Sequence, residues 1–182
     1  MKTILILAFS GVCFAAPLEQ IKTSLDSGKK TERTEAVVAL NNIIDDRKLS
    51  NEARLEAIQL AVDMNVHECS GMIIRYIDTY WVRKKSALAF ETIYSSVEAL
   101  IGLGEKTVPE LTEAIKREDD ELRHRLMSYS LGRIMKQEAA LAHLQKLIAT
   151  DMPGAEKKRL AAAREEIAKW SDYPWDAGEI KK

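Results

Sequence analysis

The sequence predicts an all-α fold, an α-solenoid of about four helical hairpins closed by a C-terminal capping helix. Three observations carry this expectation. Apolar residues recur at helical spacing through most of the 182-residue chain. Short polar, Gly or Pro breaks separate the stripes. The stretch from Val97 to Ala149 repeats itself: placing Val108 on Leu141, Leu111 on Leu144 and Ile115 on Ile148 keeps one offset of 33 residues.

Taken in order, the chain opens on a targeting pattern. Lys2 supplies a positive start, Ile4 to Phe9 with Val12 and Phe14 an apolar run, and Cys13-Phe14-Ala15 the small residues that a signal peptidase reads. Residues 1–15 therefore read as a signal peptide. The mature chain is expected to start at Ala16 or, failing that, at Pro17, and to be exported to the periplasm or secreted. The run is too short to span a membrane. Lipidation at Cys13 is a poor alternative, because Ser10-Gly11-Val12 lacks the small residue wanted just before the cysteine. Removing the leader takes Lys2 away and shifts the formal charge from −1 to −2. Binding to nucleic acid asks for a basic surplus and is not expected. Cys13 leaves too, so Cys69 has no intramolecular partner and the fold must stand without disulfides.

Residues 16–170 form the expected helical domain. Leu18, Ile21 and Leu25 make the first stripe, stopped by Ser27-Gly28. Ala36, Val37, Leu40, Ile43 and Ile44 make the second, and Asp45-Asp46-Arg47-Lys48 a polar loop. Ser50 is a good N-cap for a helix apolar on two faces: Leu55, Ile58 and Val62 on one, Ala57, Ala61 and Met64 on the other. After a turn at Asn65-Val66-His67-Glu68, helix is predicted from Met72 through Tyr76, Tyr80 and Trp81. Arg83-Lys84-Lys85 interrupts it, and Phe90, Ile93, Tyr94, Val97, Leu100 and Ile101 predict a long following helix. No strand-length alternation stands out.

Leu103-Gly104 closes that helix. Thr107-Val108-Pro109-Glu110 reads as a capping box with Pro in the first turn, opening a helix with Val108, Leu111, Ala114 and Ile115 on one face. Leu122, Leu126, Tyr129 and Ile134 follow; then, past Lys136-Gln137-Glu138, come Ala140, Leu141, Leu144, Leu147 and Ile148. Asp151-Met152-Pro153-Gly154 breaks the chain again. Leu160, Ala163, Ile167 and Trp170 line one side of a charged terminal helix, the pattern of a cap. Residues 171–182 form a C-terminal tail.

The turn glycine, the Val-Pro-x-Leu and Ala-Leu-x-x-Leu entries and the apolar second helices between Gly104 and Ile148 resemble the HEAT-repeat family in an exported form. The resemblance implies a right-handed solenoid and a scaffold or adaptor role. It fixes no partner.

Chemical motifs are sparse. His67 and Cys69 lie two residues apart and diverge on a helix, so no metal site is expected. His124 and His143 are isolated among charged neighbours, and no phosphate loop or nucleophile elbow is present. No catalytic residue, metal or cofactor is therefore expected. Tyr76, Tyr80 and Trp81 beside Arg75 and Arg83 suit an interface as well as a core, and Trp170 with Trp175 suit an end plug. The expected function is non-enzymatic binding of a protein or peptide. The surface would be the row of second helices over Glu68–Trp81, Val108–Lys116 and Glu138–Ile148, with Arg75, Glu110, Glu113, Lys116, His143 and Lys146 as its polar positions. The alternatives are a structural or oligomerising subunit of an envelope assembly and a HEAT-like enzyme; an enzyme of that kind would bring a basic groove or a cytoplasmic setting.

Overall fold

The computed structural model describes residues 15–78, 81–86, 89–93 and 95–169, with side chains over 17–78 and 95–169. The class is all-α, with one inserted hairpin. The order is α1 (Ala15–Asp26), α2 (Lys30–Asp45), α3 (Asn51–Asp63), α4 (Ser70–Arg75), β1 (Trp81–Ser86), β2 (Ala89–Ile93), α5 (Ser95–Leu103), α6 (Val108–Ile115), α7 (Glu121–Met135), α8 (Gln137–Ile148) and α9 (Gly154–Lys169). The expected signal segment over 1–14, Tyr80, Trp170 and the tail with Tyr173 and Trp175 lie outside the described residues.

Helix boundaries follow local chemistry. Ser50 caps α3 by accepting from the Ala53 amide at 3.2 Å, and Asp120 caps α7 by accepting from the Arg123 amide at 2.9 Å. Gly28 and Gly104, both at φ +71°, turn the chain after α1 and α5 in the left-handed region that glycine enters without steric cost. Between α7 and α8 the only residue is Lys136, at φ 65° and ψ 149°.

Packing runs along the chain. α1 rests on α2 and α3; α2 on α3 and α4; α4 on α5 and α6; α3 on α5; α5 on α7; α6 on α7; α7 on α8 and α9; and α8 on α9. Thus α1, α2, α4 and α7 each meet both the next helix and the next but one, and α3 and α5 meet the next but one. The predicted stripes contribute to the core: Leu40, Ile44, Ala57, Ala61, Leu100, Leu111, Ile115, Leu126, Leu144, Leu160 and Ile167 are buried, and Leu131, outside the expected stripe of α7, joins them. Close approach of α3 and α5 is built into Gly102, where an added Cβ would lie 2.8 Å from Val62 Cγ1.

Four expectations are corrected. Helix does not run from Met72 to Trp81, nor from Phe90 onward. α4 ends at Arg75, and its last turn tightens as the Tyr76 and Ile77 amides donate to Ile73 and Ile74 carbonyls. Arg123 donates to the Arg75 carbonyl and, at 3.5 Å, to the Ile74 carbonyl that the Ile77 amide already engages. Trp81 and Arg83 fall on β1, Phe90 and Ile93 on β2. The two strands pair antiparallel, Trp81 opposite Ile93 and Arg83 opposite Glu91. Aromatic and β-branched residues suit a strand as well as a helix face.

The capping box is absent. Thr107 has helical backbone angles, φ −86° and ψ −13°, because a 3-10 turn over Gly104–Thr107 runs straight into α6. Its hydroxyl donates back to the Gly104 carbonyl at 2.8 Å. Leu122, expected in the stripe of α7, lies in the first turn and is 46% exposed.

Candidate partner-binding surface

One edge of the molecule collects the C-terminal ends of α2, α4 and α6, and arginines cap them. Arg54 of α3 is buried and donates to the Ile44 carbonyl at 2.8 Å. Arg123 in the first turn of α7 donates to the Arg75 carbonyl at 3.1 Å and to Asp78 at 2.5 Å, with Glu118 at 2.8 Å. Arg159 of α9 repeats this one step on: it donates to the Lys116 carbonyl at 3.0 Å and to Asp119 at 2.6 Å. Each guanidinium supplies donors to carbonyls that a helix end leaves unpaired. Burial works to raise the Glu118 carboxyl, but its bond from Arg123 and the amides of Asp120 and Asp119 outweigh that and hold it below the usual range.

Tyr76 belongs to this edge as a structural residue. Its hydroxyl donates to Asp45 at 2.6 Å, and the Arg54 guanidinium sits 4.5 Å from its ring centroid. The Tyr76 hydroxyl, then the Arg75 charge, lower the Asp45 carboxyl although desolvation opposes them. Ser96 Oγ donates to the Tyr76 carbonyl at 3.0 Å and so ties the start of α5 to the end of α4, closing the base from which the β1–β2 hairpin departs.

The expected contact residues divide. Arg75 is exposed, at the far end of α4, with Nη1 3.4 Å from Asp45. Glu110 is exposed on α6 and accepts a hydrogen bond from Ser70 Oγ of α4. Glu113 accepts from Lys116 and lies 3.6 Å from Arg117. Lys116 itself is largely covered, its side chain only 14% exposed. His143 of α8 is half-buried, Nε2 being 3.3 Å from Thr112 Oγ1 of α6. Burial first, then the charges of Lys146 and Lys116, hold its imidazole below the ordinary value. Lys146 is exposed. The structure thus gathers Glu110, Glu113, Lys116 and His143 along α6 and its junction with α8, and leaves Arg75 apart from them.

Between α4 and α6 runs a shallow groove of about 380 Å³, lined by Gly71 and Ile74 on one side and Pro109, Glu110, Glu113, Ala114 and Arg117 on the other. Sequence reasoning missed Arg117, which is four residues beyond Glu113 and so on the same face. It also missed the bond between Thr112 and His143. His124, the other helical histidine, donates from Nε2 to the Arg159 carbonyl at 3.0 Å. Cys69 is buried, and desolvation, with Glu68 beside it, pushes its thiol up to about 12. Such a thiol is not a nucleophile at neutral pH.

No helix among the described residues is long and apolar enough to cross a membrane. Comparison with family models, with curated proteins and with solved structures finds no match for this chain.

Proposed function

We propose that this chain is a right-handed, HEAT-like α-solenoid of about four hairpins that acts as a non-enzymatic scaffold, holding a protein or peptide partner outside the cytoplasm. The groove between α4 and α6 is the observation that carries the reading: two second helices, consecutive in their row, leave a cleft between them with an apolar floor and charged rims. The packing of α2 on α4 and of α4 on α6, beside that of α3 on α5 and α5 on α7, supports two parallel rows. The matched burial of Leu111 and Leu144 supports the repeat. Export rests on the leader pattern alone.

Reversing Glu113 and Lys146 together leaves the net charge unchanged and alters the row on α6 and α8. Capture of the native partner from envelope extract, measured with the full exported chain, is expected to fall and to lose its salt dependence, while the far-UV circular dichroism of the variant at room temperature stays that of the native chain. Unchanged capture, with loss only when residues 170–182 are altered, would move the site to the C-terminal end.

A second reading, a self-assembling envelope subunit, has one feature in its favour. β1 and β2 form a sheet of two strands, so both outer edges stand open to pairing among the described residues. The mass of the full chain by sedimentation separates the two: a monomer supports the adaptor, a concentration-dependent oligomer the subunit.

A further inference from the structure

The groove between α4 and α6 has unlike ends. At the N-terminal end of α6, the Glu110 carboxylate is held in place by Ser70 Oγ, which engages Oε2 and leaves Oε1 to accept from a ligand. An added Cβ at Gly71 would lie 3.6 Å from that same Oε2, so the carboxylate leans over the α4 backbone. At the other end stands Arg117, with its side chain 79% exposed. Glu113 lies between them, but Lys116 neutralises it from the covered side. The 3.6 Å from Glu113 to Arg117 is too long for a hydrogen bond, so the guanidinium keeps its donors. Ile74 of α4 and Ala114 of α6 supply the apolar lining beside these charges, and Pro109 flanks Glu110 at its end.

This is a dipolar groove, negative at one end and positive at the other. Glu110 sits in the first turn of α6 and Arg117 in the turn just past its end, seven residues on and about 10 Å along the axis. An extended peptide covers about 13 Å in four residues and places residues i, i+2 and i+4 on one side. Lysine and arginine side chains reach far enough to absorb the difference.

We infer that the groove takes a short extended peptide segment of a partner protein carrying a basic residue and an acidic residue four apart, with an apolar residue midway. The basic residue meets Glu110, the acidic one meets Arg117, and the apolar one rests on Ile74 and Ala114. This rests on the scaffold reading above and names the chemistry of its partner.

The test uses the full exported chain and three capped peptides of five residues: lysine–alanine–leucine–alanine–glutamate, the same with lysine at both ends, and the same with glutamate at both ends. Binding is followed by NMR titration at low salt. The mixed-charge peptide is expected to bind about three- to ten-fold more tightly than either uniform one, the range that two exposed charge pairs supply. Arg117→Glu makes both ends acidic and is expected to turn the preference to the peptide with two lysines; Glu110→Lys is expected to turn it to the peptide with two glutamates. Arg117→Glu lies at an exposed position and keeps the test intact if Glu110→Lys does not fold. Equal binding of all three peptides, no binding of any, or preferences unmoved by Arg117→Glu overturns the proposal. So does binding of a synthetic peptide of residues 170–182 that responds to the same variants, since the groove would then belong to the chain's own tail. Failure here while the native partner is still captured on the row of α6 and α8 leaves the scaffold reading standing.

Discussion

Arg123 reaches back across 45 residues to Asp78, Nη1 to Oδ1 2.5 Å, and the same guanidinium caps the end of α4. Arg159 and Asp119 make the equivalent link 40 residues apart at the end of α6. Asp78 and Asp119 each stand three residues past the carbonyl that is capped, Arg75 and Lys116. The two links bind successive loops on one edge into a ladder. Hydrogen bonds from a charged donor are stronger than neutral ones, and those to helix ends replace partners the backbone lacks.

Arg123→Ala is therefore expected to cost about 1–3 kcal/mol, and Arg159→Ala less. The order follows from exposure: Glu118 and Asp78 are 18% and 42% exposed beside Arg123, whereas Asp119 beside Arg159 is 82% exposed. Urea denaturation of the two variants checks both the size and the order.

Leu111 and Leu144 are both completely buried. Truncation of either to Ala is expected to cost about 2–5 kcal/mol, by lost transfer energy and the cavity left behind. A loss under about half a kcal/mol at both positions, read from the same denaturation curves, would contradict the proposed repeat.

His143 makes stability depend on pH. Its ordinary value is 6.5 and the folded chain lowers it, so the unfolded chain binds the proton first. The contribution of the neutral ring is complete above about pH 6.5 and is lost as pH falls below that, until the folded group is protonated too. The drop in melting temperature from pH 7.5 to pH 5.5 is expected to be smaller in His143→Gln than in the native chain.

Lys136 holds φ 65° with ψ 149°, a region costly for any residue with a Cβ. The residue is exposed. Lys136→Gly is expected to raise stability by about 0.5–1 kcal/mol despite the greater freedom glycine brings to the unfolded chain. A destabilised variant in thermal denaturation would contradict the backbone conformation at this junction.

The helices were legible where one apolar stripe faced one core. Leu160, Ala163 and Ile167, or Leu111 and Ile115, recur at helical spacing and are buried at those spacings. The hairpin was not, because a short apolar run holding Trp81, Val82, Phe90 and Ile93 has no period that separates a strand from a helix. The end of α4 is capped by a residue far along the chain, Arg123, and local spacing carries no trace of that contact. The capping box failed for a similar reason: the signature is right, but the 3-10 turn before it sets Thr107 in helical angles and Ser70 of α4 engages Glu110. At the candidate surface, Glu110 and Glu113 were placed by counting along one helix face. The same count places Lys116 in the open, yet its amine folds back to Glu113 and is covered. Arg117 is legible in principle, four residues from Glu113, but it lies past the last apolar residue of that face, Ile115.

Carboxylate footprinting of the full chain, free and with its captured partner, tests the central claim most directly. The account predicts that Glu110 and Glu113 on the row of second helices become protected, while Glu121 and Glu165 on α7 and α9 react as before. Protection of Glu121 and Glu165 with Glu110 and Glu113 unchanged would contradict it.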